Sequence, residues 1–252
     1  MTLLAVERIK LFSTRSPWWC MLLAVGLTVG LGAIFALNWG GPMPVMGTVV
    51  VYNFGLYVVM VMAALAVTTE YRFGTIKATF QAVPDRISPM IAKAVVVMLL
   101  SGVVGLVAAF GSWGLSRVIA DDSSGLALDS AADWRHLVGV GLVFAMGALL
   151  ALGVGAMVRH TAGAVSIILV YALVVESLVG LIPNIGDDIQ KWLPFLMAQK
   201  FILGDPTTGG IPAGEGPPVV GDLSPWGSFG YFAAIALAIY VISLVVVKRR
   251  DA

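Results

Sequence analysis

The chain has 252 residues, 59% of them hydrophobic and only 12% charged, with a formal net charge of +1 and a mean hydropathy of +0.96. That apolar fraction exceeds what a soluble domain of this length needs, and no basic stripe or run of like charge suits nucleic acid. The single cysteine, Cys20, excludes an intrachain disulfide and any cysteine-based metal cluster, and reads as a small apolar side chain at the start of a membrane helix.

Residues 1–16 form a basic N-terminal segment carrying Arg8, Lys10 and Arg15. A bilayer core requires roughly 20 apolar residues per helix. Six stretches qualify, at about 18–37, 47–68, 89–115, 137–158, 162–182 and 229–247. The first is too long for the apolar part of a secretory signal and lacks a small-x-small cleavage site, so it is expected to be a retained span. The segment from Arg117 to Arg135 is acidic and rich in small residues, which suits a solvated loop. The longest connection, 183–227, divides in two. Its first half, Ile185–Leu203, mixes Ile189, Trp192, Leu193, Leu196 and Met197 with Asp187, Asp188, Lys191 and Lys200, which predicts a short interfacial or re-entrant helix. Its second half is crowded with prolines and glycines and is expected to be irregular.

Basic residues near helix ends set orientation. With the N-terminus cytoplasmic, eleven basic residues fall on the inner side and four (Arg117, Arg135, Lys191 and Lys200) on the outer. The expectation is one all-α transmembrane domain over 1–252, a multi-pass protein of the cell membrane with both termini in the cytoplasm.

Within the spans, Glu176 is the acid furthest from either end, close enough to Pro183 to reach headgroups. It is either a structural, snorkelling carboxylate or a substrate- or proton-linked group. Asn53, Tyr52, Tyr57 and Tyr171 either line a path or bond to neighbouring helices. Gly26 and Gly30, and Gly147, Ala151 and Gly155, make small-residue stripes that let helices approach closely, within one subunit or across a dimer. His136 and His160 fall on opposite sides of the membrane and build no metal site.

The inner segment between the second and third spans is the most informative. At about 100° per residue, Phe73, Ile76, Phe80 and Val83 share one apolar face. Glu70, Gly74, Lys77 and Gln81 form a second stripe. This predicts a short amphipathic helix over about 70–83, with Thr69 as its cap, Glu70 in its first turn and Pro84 as its stop. Such a helix is either an elbow that turns the chain or a peg that docks into another protein.

The run Glu70-Tyr71-Arg72-Phe73-Gly74-Thr75, followed by Lys77 and an Ala82-Val83-Pro84 stop, resembles the ABC-2 family of ABC transporter permeases. In that family a glutamate, three residues and then Gly-Thr mark the coupling helix of the first cytoplasmic loop. The layout of a basic N-terminal segment, six spans and a long outer segment before the last is similar too. The resemblance implies that Glu70, Arg72, Phe73, Gly74, Thr75, Lys77, Phe80 and Gln81 meet a nucleotide-binding subunit. It also implies that two permease chains pair, as homodimer or heterodimer, around a substrate path. One departure is that Leu3, Leu4, Val6, Ile9, Leu11 and Phe12 spread around a helix instead of forming the single apolar face usual at the N-terminus of such chains.

None of the six lysines follows a glycine, so the chain carries no phosphate-binding loop. Cofactors on this chain are therefore expected to be none, with ATP and magnesium on the partner. No two acids share a span and no His-Glu-x-x-His occurs, which argues against an intramembrane enzyme. The expected function is the permease subunit of an exporter moving a drug or other amphipathic compound. The alternative is a passive channel or membrane assembly factor without an ATPase partner.

Overall fold

The computed structural model describes residues 2–83, 85–183, 185–204 and 223–249. These residues form helices and turns, with no strand among them. A short helix α1 (Leu3–Phe12) precedes the first span α2 (Ser16–Leu37). A 3₁₀ turn at Val45–Val49 leads into α3 (Tyr52–Arg72), then α4 (Thr75–Ala82) and the long α5 (Ile87–Ile119). After α6 (Ala131–Val158) the fifth span is composite: α7 (Thr161–Val170), a π-helical turn Tyr171–Val175 and α8 (Glu176–Val179). Two short helices, α9 (Gly186–Gln190) and α10 (Pro194–Leu203), stand before α11 (Pro225–Arg249).

Six of these segments are long and apolar enough to cross a membrane, in the places the sequence pattern predicts. The largest boundary difference is at the fourth span, expected from 137 and found from Ala131. The cause is a capping box. Ser130 Oγ accepts the Asp133 N–H at 3.1 Å, and the Asp133 carboxylate accepts the Ser130 N–H at 2.9 Å. A polar first turn, Asp133 to His136, is thereby wound into helix despite its low hydropathy.

α6 is the central post. In its most apolar window 72% of residues are buried, against 22% for α2 and for the fifth span and 28% for α11. It packs on α5, α3, α11 and α7. Its small-residue stripe makes the α3 contact possible: a Cβ at Gly147 would lie 2.7 Å from Leu56, and one at Gly155 2.7 Å from Val67. In lipid such close approach supplies the dispersion contacts that hold helices together. This stripe is therefore an intrachain seam. Gly26 and Gly30 of α2, by contrast, have open space around them.

The stretch expected to be an interfacial or re-entrant helix contains α9 and α10, and α10 is packed into the bundle. Eight of its ten residues are buried, packed against α11 and α6. Phe201 stacks between Phe229 and Trp226 with ring centroids at 4.7 and 5.0 Å, and Phe195 meets Phe232 at 5.9 Å. His136 of α6 bonds through Nδ1 to the Ile202 carbonyl, tying the end of α10 to the post. The irregular half expected beyond 204 falls mostly outside the described residues.

Candidate functional site

Two polar sites lie at opposite ends of the bundle, and the sequence pointed to residues of both. At the end bearing the N-terminus, the predicted 70–83 helix is broken. α3 continues through Arg72, the chain turns at Phe73–Gly74, and α4 begins at Thr75. Gly74 has φ +71°, the left-handed region where a Cβ is strained, so the turn is built for glycine. Thr69 is not a cap: it lies inside α3, with its hydroxyl on the Leu65 carbonyl at 2.6 Å.

The break separates Glu70 from the stripe it was expected to share. Arg72, Phe73, Gly74, Thr75, Lys77 and Gln81 are exposed, Phe73 by 71% of its surface, while Phe80 is half-buried. Ile76 is the one buried residue of α4 and pins the helix to the bundle. Glu70 instead points into the protein, 9% exposed, within a network of four charges.

Lys93 of α5 stands at the centre of that network. Its ammonium donates to Glu7 Oε2 of α1 at 2.5 Å and to Glu70 Oε1 at 2.8 Å. Lys10 donates to Glu7 Oε1 at 2.7 Å, lies 3.4 Å from Glu70 Oε1, and reaches the Thr79 hydroxyl of α4 at 3.0 Å. Four helices thus meet in one cluster whose formal charges sum to zero. Burial lowers the pKa of Lys10, but the Glu7 and Glu70 carboxylates outweigh it and the net displacement is upward. Glu70 Oε2 is buried without a hydrogen-bond partner. A cavity of about 540 Å³ borders the cluster, walled by Met62, Leu65 and Val97 and opening past Ser13, Thr14 and Phe73.

Further ties fasten the same end of α3. Thr161 donates to the Thr68 hydroxyl at 3.1 Å, and the Arg159 guanidinium lies 5.0 Å from the Tyr71 ring centroid. His160, which the sequence suggests is a solvated polar residue in a tight turn beside Arg159, caps α7 by accepting the Gly163 N–H at 3.1 Å.

At the other end, the composite fifth span delivers Glu176. Its side chain is buried, and its two oxygens accept the backbone N–H groups of Phe195 and Leu196, both at 3.0 Å. Pro194 opens α10, so these are N–H groups of its first turn, which no residue within the helix can satisfy. Glu176 is thus a cap supplied from another helix. It also borders a cavity of about 350 Å³ with Asn53 and Tyr57 of α3, Ser177, Gln190 of α9, and Phe195 and Gln199 of α10. Three of the five polar residues singled out in the spans therefore meet. Tyr52 is buried in the core, and Tyr171 places its ring 6.2 Å from that of Phe195, next to the cavity.

Lys93, Glu7, Lys10 and Thr79 were not singled out from sequence. The available signal was Lys93 itself, a cation four residues inside a predicted span, which calls for a carboxylate. No family model matches the chain, and no curated protein matches it.

Proposed function

We propose that this chain is the membrane-spanning subunit of an ABC-type exporter, driven by a separate ATPase that grips the exposed Arg72–Gln81 segment from the cytoplasm. The observation that carries this reading is the joint at the root of that segment. Phe73 and the outer face of α4 stand open, while Glu70, three residues before Phe73, is locked to α5 and α1 through Lys93 and Lys10. A load applied to the tip reaches three other helices through short charge-assisted bonds, which are strong where water is excluded. A simple chain-turning elbow has no use for such a root.

Several features suit the partner's side of this contact. An exposed aromatic beside Arg72 and Lys77 offers an apolar anchor with a basic rim, the composition of interface centres. Gly74, without a side chain, allows another backbone to come close. Cargo would cross along a path completed by a second permease chain, on the exposed apolar flanks of α2 and the fifth span.

The test is site-specific photocrosslinking from position 73 or 81 in native membranes. The expected product is an adduct with a nucleotide-binding subunit, absent when the probe stands at Leu99, exposed within the span α5. Adducts with lipid alone, in cells where the chain still supports export, would overturn the assignment.

A further inference from the structure

The two buried sites differ in how their charge is balanced. The Glu7–Lys10–Glu70–Lys93 cluster contains its own counter-ions. The Glu176 cavity does not: among the described residues that line it there is no lysine, arginine or histidine. Its carboxylate receives two backbone N–H groups and the positive end of a ten-residue helix. That is equivalent to roughly half an elementary charge at most. The other polar groups on the wall, Asn53, Tyr57, Ser177, Gln190 and Gln199, are neutral and all able to accept a hydrogen bond. Tyr57 and Phe195 add aromatic faces, which attract cations. An apolar slab around a carboxylate left with net negative charge favours a mobile cation in the adjoining space.

From this arrangement we infer that the cavity bounded by Glu176, Asn53, Tyr57, Phe195 and Gln199 binds organic cations, namely protonated amines carrying a small apolar or aromatic body. Binding stands on the cavity alone; the further identification of these cations as exported cargo rests on the exporter reading. The volume of about 350 Å³ admits a small amine and excludes a whole phospholipid. Bound there, an ammonium would lie beside a lone pair of Glu176 not used by α10, with its remaining N–H groups directed at the amide oxygens.

The full chain in nanodiscs of zwitterionic lipid, without any ATPase, is titrated calorimetrically with two probes of matched size, phenethylammonium and neutral 2-phenylethanol. The ammonium is expected to bind saturably, and the alcohol at least about tenfold more weakly, a difference of about 1.4 kcal/mol. Glu176→Gln should abolish the preference for charge. Because that change also weakens the α10 cap, Ser177→Trp serves as the second variant: it fills the cavity from an exposed position, leaves Glu176 and α10 untouched, and should block both probes. Equal affinity for the two probes, no saturable ammonium binding, or binding unaltered by Ser177→Trp would each overturn the cation site. Failure to crosslink an ATPase would leave these titrations unaffected and remove only the exporter reading.

Discussion

Both ends of the bundle bury carboxylates, and they do so by opposite means. Glu7 and Glu70 are neutralised by two ammonium groups drawn from α1 and α5, side chain against side chain. Glu176 is held by two amides of the main chain, and among the described residues no cationic side chain lines its cavity. A closed set of ion pairs fixes the relative positions of the helices that contribute to it, and it has no unsatisfied charge to offer a ligand. A carboxylate balanced only by a helix end keeps an outward negative field. The first arrangement suits transmission of force, the second recognition.

The sharpest way to break this contrast is to remove the central cation. Lys93→Met leaves two buried carboxylates facing one partly exposed lysine, and should cost about 3–5 kcal/mol. This is checked by the thermal or denaturant midpoint of the purified chain. Adding Glu7→Gln restores charge balance, so the double variant should be more stable than Lys93→Met alone, a coupling expected of residues in one network. At the other end, Glu176→Ala should cost less, about 1–3 kcal/mol for two unmet N–H groups. The loss should be local, appearing as faster amide exchange at Phe195 and Leu196 with the α1–α5 contact unchanged.

A smaller effect is expected at the turn between the two halves of the inner segment. Gly74→Ala introduces a Cβ at φ +71°, with open space around it, so only backbone strain of about 1–2 kcal/mol opposes it. If α4 is a handle, export should fall more than the melting temperature does. The smallest signal concerns Lys10. Its folded-state pKa lies above the ordinary 10.5, so the stability it adds is complete below that pH and is lost as pH rises through the folded value. Lys10→Met should therefore lower stability modestly at neutral pH and flatten the alkaline limb of a stability–pH curve, where the lysine no longer contributes.

The spans were legible because lipid demands long apolar runs and internally satisfied backbones, a constraint visible in any window of the chain. Positions pinned by distant partners were not. The reading of 70–83 as one helix followed a correct periodicity but gave Gly74 no weight as a breaker, since glycine interrupts a helix only where the surroundings require a turn. Glu70 looked like part of an exposed stripe because its partners Lys10 and Lys93 are 60 and 23 positions away in the chain, beyond any local pattern. The mixture of charged and apolar residues over 185–203 suits an interfacial or re-entrant helix, but the aromatic contacts with α11 that bury most of α10 are not visible in that mixture. Asn53, Tyr57 and Glu176 stand out in the sequence as polar residues within apolar spans; that they converge is visible only in the packing of α3 against the fifth span.

The wide turn at Tyr171–Val175 has a consequence for how this chain tolerates length changes. A π turn accommodates one extra residue within otherwise regular winding. Deleting one residue there, for example Val174, should let the segment rewind as ordinary α-helix. Because the turn already holds one residue more than α winding needs, the segments before and after the deletion would keep nearly the same relative orientation, and the carboxylate would stay in the protein interior. The same deletion in regular winding, for example at Ile167, would rotate the two parts by about 100° and swing the carboxylate toward hydrocarbon, although no residue that touches it had been altered.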